Sequence, residues 1–166
     1  MRSSSTRWAR LLAAAGLAMT LLATTAAEAR KVTWQAVEVR SGDDGKRVAA
    51  TLKGLLKTAT KRAKWGDGDK LEMKARVKKL EWEAHDDVLR VSVTVVARIK
   101  GGETARSHIR LGGHPKDRRK IEKEALKIVA DGLVTRLSDI ARREAAAAKK
   151  AREEAEAEEA EEDDEE

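Results

Sequence analysis

The sequence predicts an α+β two-layer sandwich: a mostly antiparallel four-stranded sheet carrying two helices on one face, in the order β-α-β-β-β-α, followed by an acidic tail. Three observations predict it. Apolar and polar residues alternate through four runs; apolar residues recur at helical spacing in two others; and glycine- or aspartate-rich turns separate the runs. An amphipathic helix hides one stripe and a strand hides one face, so placing both helices on the same side of the sheet satisfies every element.

The elements follow in order. Lys31 to Arg40 (KVTWQAVEVR) is β-branched and partly alternating, and it stops at the turn Ser41 to Gly45. From Lys46 the period changes. Val48, Leu52, Leu55, Leu56, Ala59 and Ala63 recur at helical spacing, with Lys53, Lys57 and Lys61 on the opposite side, and the helix runs out near Trp65 at a Gly-Asp-Gly-Asp turn. Leu71, Met73, Ala75 and Val77 then alternate with Lys74, Arg76 and Lys78, after which the parity slips so that Leu80 and Trp82 carry the apolar side. A β-bulge near Lys78 and Lys79 absorbs one residue and restores the face. Val88 to Lys100 is the clearest strand: Leu89, Val91, Val93, Val95, Ala97 and Ile99 point one way, and Arg90, Ser92, Thr94, Arg98 and Lys100 the other. On that assignment Val93 is core, whereas Thr94 is outward and tolerates a charge. Ala105, Ser107, Ile109 and Leu111 alternate with Arg106, His108 and Arg110 in the last strand. Ile121, Ala125, Ile128, Val129, Gly132, Leu133, Leu137 and Ile140 mark a long second helix to about Arg143.

The two ends of the chain are different in kind. Arg2, Arg7 and Arg10 precede an apolar run from Leu11 to Leu22 and then small residues, the three-part layout of a secretory signal peptide over residues 1–29. Cleavage before Arg30 or before Glu28 fits the small-x-small pattern. An uncleaved anchor is the other reading, although the run is shorter than the ~20 apolar residues that span a bilayer. Residues 30–143 then form a single domain destined for the periplasm or the exterior. Residues 144–166 form an Ala/Glu-rich tail whose composition favours helix, without an apolar stripe to dock it and with fraying expected by about Glu158. The tail holds 12 acidic and 3 basic residues, whereas residues 30–143 hold 29 basic and 16 acidic. The body is a cation and the tail an anion.

Little in the sequence points to catalysis. There is no cysteine, which excludes disulfides, a thiolate nucleophile and the lipid-modified cysteine of a lipoprotein. His85, His108 and His114 lack metal-ligand spacing to one another or to a carboxylate pair. Ser107 and His108 are neighbours on a strand, so their side chains leave on opposite faces and form no dyad. Asp43 to Gly45 and Asp67 to Asp69 lack the ligand pattern of a calcium loop and read as turns. The glycine pairs Gly101-Gly102 and Gly112-Gly113 have no phosphate-cradle spacing. No cofactor, metal or small-molecule substrate is expected, and the chain does not read as an enzyme. Trp34, Trp65 and Trp82, the only aromatics after residue 29, read as core bulk, Trp82 on condition that the bulge exists.

What stands out is the outward side of the sheet. Lys74, Arg76, Lys78, Arg90, Arg98, Lys100, Arg106, His108 and Arg110 fall on it, with Glu72 the sole acid counted among them. Charge on an open face blocks aggregation and gives solubility. Like charges opposed across strands also destabilise a sheet, so a choice this one-sided points to an anionic partner as well.

The element order behind a signal peptide, with a closing helix of the Ala125 to Ile140 kind (ALKIVADGLVTRLSDI), resembles a group of small envelope-assembly proteins. The group includes the lipopolysaccharide-assembly lipoprotein of the outer-membrane translocon, the auxiliary lipoproteins of lipid-trafficking ABC transporters and the lipoprotein activators of penicillin-binding proteins. The resemblance covers most of Val32 to Arg143. It implies a non-catalytic periplasmic role, through binding a larger protein complex or an anionic glycolipid. Those proteins are typically anchored through a cysteine, which this chain lacks.

The reading is therefore an exported binding or assembly module of the bacterial envelope that holds an anionic component or a partner protein on its basic face. The alternative is binding of nucleic acid or another polyanion, which the compartment and the lack of stacking aromatics on the sheet disfavour. The acidic tail is a candidate internal competitor for the basic face, or simply a solubilising segment.

Overall fold

The computed structural model describes residues 30–39 and 44–163, with side chains described as far as Ala157. Residues 1–29, where a signal peptide is expected, most of the first turn and residues 164–166 lie outside the described residues. The elements form where the periodicity places them: β1 (Val32–Val39), α1 (Gly45–Arg62), β2 (Leu71–His85), β3 (Val88–Ile99), β4 (Thr104–Gly113) and α2 (Arg118–Asp163), with a short 3-10 turn at Pro115–Asp117. The strands lie side by side in sequence order. β1 and β2 are parallel, which requires a crossover, and α1 supplies it. β2, β3 and β4 are antiparallel neighbours joined by tight turns. Asp86 (φ 48°) and Gly101 (φ 79°) take the left-handed backbone those turns need.

Two irregularities keep the faces in phase. Lys78 has no partner on β3, because the register passes from Val77 opposite Val95 to Lys79 opposite Thr94. This is the bulge that the parity slip predicts. A second one, at Gln35 of β1, separates Trp34 opposite Met73 from Ala36 opposite Lys74, and it returns Val37 and Val39 to the side of Val32 and Trp34. The short alternating run around Gln35 contains no slip clear enough to mark it.

Both helices cover the inner face. Leu52 and Leu56 of α1, Met73 and Val77 of β2, Val91, Val93 and Val95 of β3, and Leu126, Val129, Leu133 and Leu137 of α2 are fully buried there. Trp34 and Trp65 join them and meet at one threonine. Trp34 Nε1 donates to Thr60 Oγ1 at 2.9 Å and Trp65 Nε1 to Thr60 O at 3.0 Å, so each ring is buried with its polar atom satisfied. Trp82 is on the inner side as the bulge requires. It is only partly buried, with the Arg118 guanidinium 4.9 Å over its ring.

The apolar side of α2 is wider than the sequence stripe. Leu126, Ala130 and Val134 are buried as well, because α2 packs against α1 in addition to the sheet, while Ile128, expected in the core, is 43% exposed. The α1 contact also buries a charge. Glu122 is 5% exposed and receives both Arg47 Nη1 at 2.6 Å and Arg47 Nη2 at 3.0 Å, while Arg47 Nε donates to Asp44 at 3.1 Å. Nothing local in the sequence pairs residues 75 positions apart.

Buried residues on α2 end at Ala141, yet the helix continues unbroken to Asp163, past the fraying expected near Glu158. Alanine, lysine and glutamate are strong helix formers, and the pairs Lys149–Glu153 and Lys150–Glu154 reinforce the exposed turns. Antiparallel to β4, α2 leaves the sheet at the β3–β4 turn. There a side-chain carbon placed on Gly102 would meet Glu144 Oε1 at 3.3 Å.

Candidate functional site

Strand register fixes the outer face row by row. On β2 it carries Glu72, Lys74 and Arg76, and after the bulge Lys79, Glu81 and Glu83. On β3 it carries Arg90, Ser92, Thr94, Val96 and Arg98, with Lys100 just past the strand end. On β4 it carries Arg106, His108 and Arg110. All nine residues expected on this face are exposed: Lys74, Arg76, Lys78, Arg90, Arg98, Lys100, Arg106, His108 and Arg110. Lys78 sits in the bulge itself, and Lys79 joins the face beside it.

The expectation that Glu72 is the only acid of the face is corrected. Glu81 and Glu83 are outward for the same reason that Leu80 and Trp82 are inward: the bulge inverts parity for everything after it. Glu38 of β1, opposite Arg76, adds a third. These carboxylates divide the face in two. In the half built by β1 and β2, Arg76 Nε donates to Glu38 at 2.7 Å, Lys79 pairs with Glu81 at 2.7 Å, and Glu72 takes Lys100 at 3.0 Å and Lys70 at 3.2 Å. Hydrogen bonds from Lys100 and then Lys70 hold the Glu72 carboxyl below its usual range. In the half built by β3 and β4, Arg90, Arg98, Arg106 and Arg110 have no ion-pair partner among the described residues. Lys74, directly opposite Arg98, has none either, so two like charges face each other across the β2–β3 pair.

Short residues lie between these cations. Ser92 and Thr94, expected to be open to solvent, are 3% and 2% exposed. They are short side chains at the middle of a strand with neighbours on both sides, and the longer Lys79, His108, Glu81 and Arg110 opposite them close them off. Thr94 Oγ1 and His108 Nδ1 share a hydrogen bond at 2.9 Å, which orients the ring and leaves Nε2 for another partner. The result is a polar strip floored by the hydroxyls of β3 and flanked by arginines on β3 and on the adjacent β4, one strand spacing or ~5 Å away. Such a strip offers guanidinium donors to phosphate or carboxylate oxygens in bidentate fashion.

No family model matches the chain. No curated protein matches it either. Several solved structures are similar in backbone. A protein from Caulobacter crescentus CB15 assigned as a lipoprotein is 13% identical with a TM-score of 0.39, over 63% of this chain and 87% of that one. A PelC dodecamer from Paraburkholderia phytofirmans is 14% identical at 0.41, over 64% and 87%. A minor lipoprotein from Acinetobacter baumannii is 16% identical at 0.34, over 70% and 93%. At such values the function has to be argued from this chain's own residues.

Elsewhere the chemistry is sparse. Among the described residues no group of His, Cys, Asp or Glu is placed to hold a metal ion, and no helix is long and apolar enough to cross a membrane. An open cleft lies where β1 begins and α1 ends, lined by Arg30, Thr60, Lys61, Lys64, Trp65 and Asp67. It holds no paired carboxylates and no histidine. Arg30 closes one side of it by donating from Nη1 to Ala141 O at 3.0 Å, which ties the start of the domain to α2.

Proposed function

We propose that this chain is an exported, non-catalytic binding module of the bacterial envelope, and that it holds an anionic envelope component on the β3–β4 half of its outer sheet face. One observation carries the reading: that half presents Arg90, Arg98, Arg106 and Arg110 without an ion-pair partner among the described residues, while on the adjoining half Arg76, Lys79 and Lys70 are held by Glu38, Glu81 and Glu72 and only Lys74 and Lys78 are left over. A surface shaped by solubility alone has no need to separate the two. Arginine is also the cation suited to planar, bidentate contact with phosphate groups. Export rests on the layout of residues 1–29.

Co-sedimentation with lipid vesicles tests the proposal. The chain from Arg30 to Glu166, which contains every described element, is expected to pellet with phosphatidylglycerol vesicles and not with phosphatidylcholine vesicles, and to release as salt shortens the screening length from ~10 Å at 0.1 M to ~3 Å at 1 M. Indifference to lipid charge would overturn it. Markedly tighter binding to duplex or single-stranded DNA would favour the nucleic-acid alternative.

A further inference from the structure

We infer that the acidic end of α2 docks on the outer face of a second copy of this chain, so that the protein associates head to tail. The inference rests on the reading of that face as an anion acceptor, and it names a partner for it.

The geometry comes first. α2 lies on the inner side of the sheet, reaches the β3–β4 turn at Glu144, and then continues as helix to Asp163. At 1.5 Å per residue the projecting part is about 28 Å long. It leaves the end of the sheet on the side away from Arg98 and Arg106, and an unbroken helix cannot double back around the sheet to reach them. The segment is therefore placed for another molecule's face and not for its own.

Charge comes second. Every residue from Ala146 to Ala157 is exposed, so over that stretch no face of the helix is used within its own domain. Lys149 and Lys150 are engaged by Glu153 and Glu154, leaving Glu156 without a partner among the described residues. From Glu153 to Glu166 the chain has acidic residues and alanine only, with no basic residue. The complementary surface is the half-face of unpartnered arginines. The two surfaces are different patches of one molecule, so their pairing is heterologous, and it propagates into a chain or closes into a ring. Exposed ion pairs are individually weak and screened within about 8 Å at physiological salt. Association of this kind is reversible, dilution-sensitive and open to displacement by a denser anion such as a lipid surface.

Sedimentation velocity of the chain from Arg30 to Glu166, at ionic strengths on the order of 10 mM and 1 M, tests it with charge-exchanged variants. Arg98→Glu with Arg106→Glu reverses two of the four arginines and leaves that half-face without net charge; Glu156→Lys, Glu158→Lys and Glu159→Lys together reverse three acids of the tail, cutting its net charge from −9 to −3 while keeping helix formers. The unaltered chain is expected to sediment faster with rising concentration at low salt and as a monomer at high salt. Each reversed variant alone is expected to stay monomeric. An equal mixture of the two restores the unaltered tail-to-face junction and also sets a lysine-bearing tail against a glutamate-bearing face, so it is expected to associate at low salt into a complex of at least about twice the monomer mass. A monomeric unaltered chain at low salt, self-association that survives both reversals, or a mixture that fails to pair would overturn the inference. Phosphatidylglycerol vesicles separate this outcome from the reading of the face. An unaltered chain that binds them yet stays monomeric at low salt, and that loses the binding with Arg98→Glu and Arg106→Glu, leaves the face reading intact and ends the head-to-tail one.

Discussion

The inner and outer faces of the sheet are made by alternate residues of the same strands, yet they admit charge under opposite conditions. On the inner face Val91, Val93, Val95 and Ala97 are essentially inaccessible, and among the described residues the only buried charged residue is Glu122 of α2, which enters the α1 contact with two hydrogen bonds from Arg47. On the outer face Arg98 and Lys74 oppose each other with no carboxylate between them. A core accepts a charge only with its partner already in place, because desolvation is otherwise uncompensated. A solvated face accepts an unpaired charge at little cost, and where it accumulates several the accumulation itself is informative.

Substitutions can break this contrast, and the largest effect is expected at Val93. Val93→Asp puts an unpaired carboxylate at a fully buried position and should cost several kcal/mol, enough to lose the cooperative thermal transition by circular dichroism. Arg98→Asp, five residues along and outward, should leave the transition within about 0.5 kcal/mol of the unaltered chain. Equal damage from both would mean the faces are assigned wrongly. Glu122→Ala comes next. It leaves Arg47 with Asp44 alone, and because the Arg47 side chain is 42% exposed the loss should be about 1–3 kcal/mol by urea denaturation, below that of a fully buried pair.

Thr94→Asp sharpens the contrast, since Thr94 is outward by parity and buried by its surroundings. Its exposure is 2% and its hydroxyl holds the His108 ring, so a cost of about 1–2 kcal/mol is expected, between those of Arg98→Asp and Val93→Asp. The smallest effect is one of pH. Glu72, held down by Lys100 and Lys70, binds its proton less readily in the folded chain than in the unfolded one. Its contribution to stability is therefore fully present above its usual value of 4.5 and is lost as pH falls through the lower folded value. Asp44 behaves alike below 3.8, chiefly through its hydrogen bond from Arg47. Glu72→Gln should flatten the fall in urea midpoint below about pH 4.5; an unchanged slope would remove Glu72 from the account.

How far these contrasts can be read from the chain alone depends on whether their cause is local. Alternation is local, so the face of each β3 residue and the bulge at Lys78 were legible, and so were the nine outward residues of the basic face. The outward position of Glu81 and Glu83 followed from the same bulge, because a parity shift that turns Trp82 inward turns its neighbours outward; Glu38 needed the register of β1, which the Gln35 bulge obscures. Register and packing are not local. They decide that Arg76 is neutralised and Arg106 is not, that Ser92 and Thr94 are covered, and that α2 buries Leu126 and Val134 against α1 while exposing Ile128. The division of the face into a paired half and an unpaired half is a product of register, and only the structure supplies it.

The central claim is that anion binding belongs to that unpaired half and not to the cationic body at large. Two double variants with identical loss of net charge separate the possibilities in vesicle titrations: Arg98→Gln with Arg106→Gln on the outer face, and Lys57→Gln with Lys61→Gln on the exposed side of α1 across the molecule. A cation near an anionic surface contributes about 1 kcal/mol, so the first pair should weaken binding to phosphatidylglycerol vesicles by roughly 30-fold. The second pair, screened by distance, should weaken it by less than about 3-fold. Equal weakening by the two would contradict the account and leave only a basic protein drawn to negative charge.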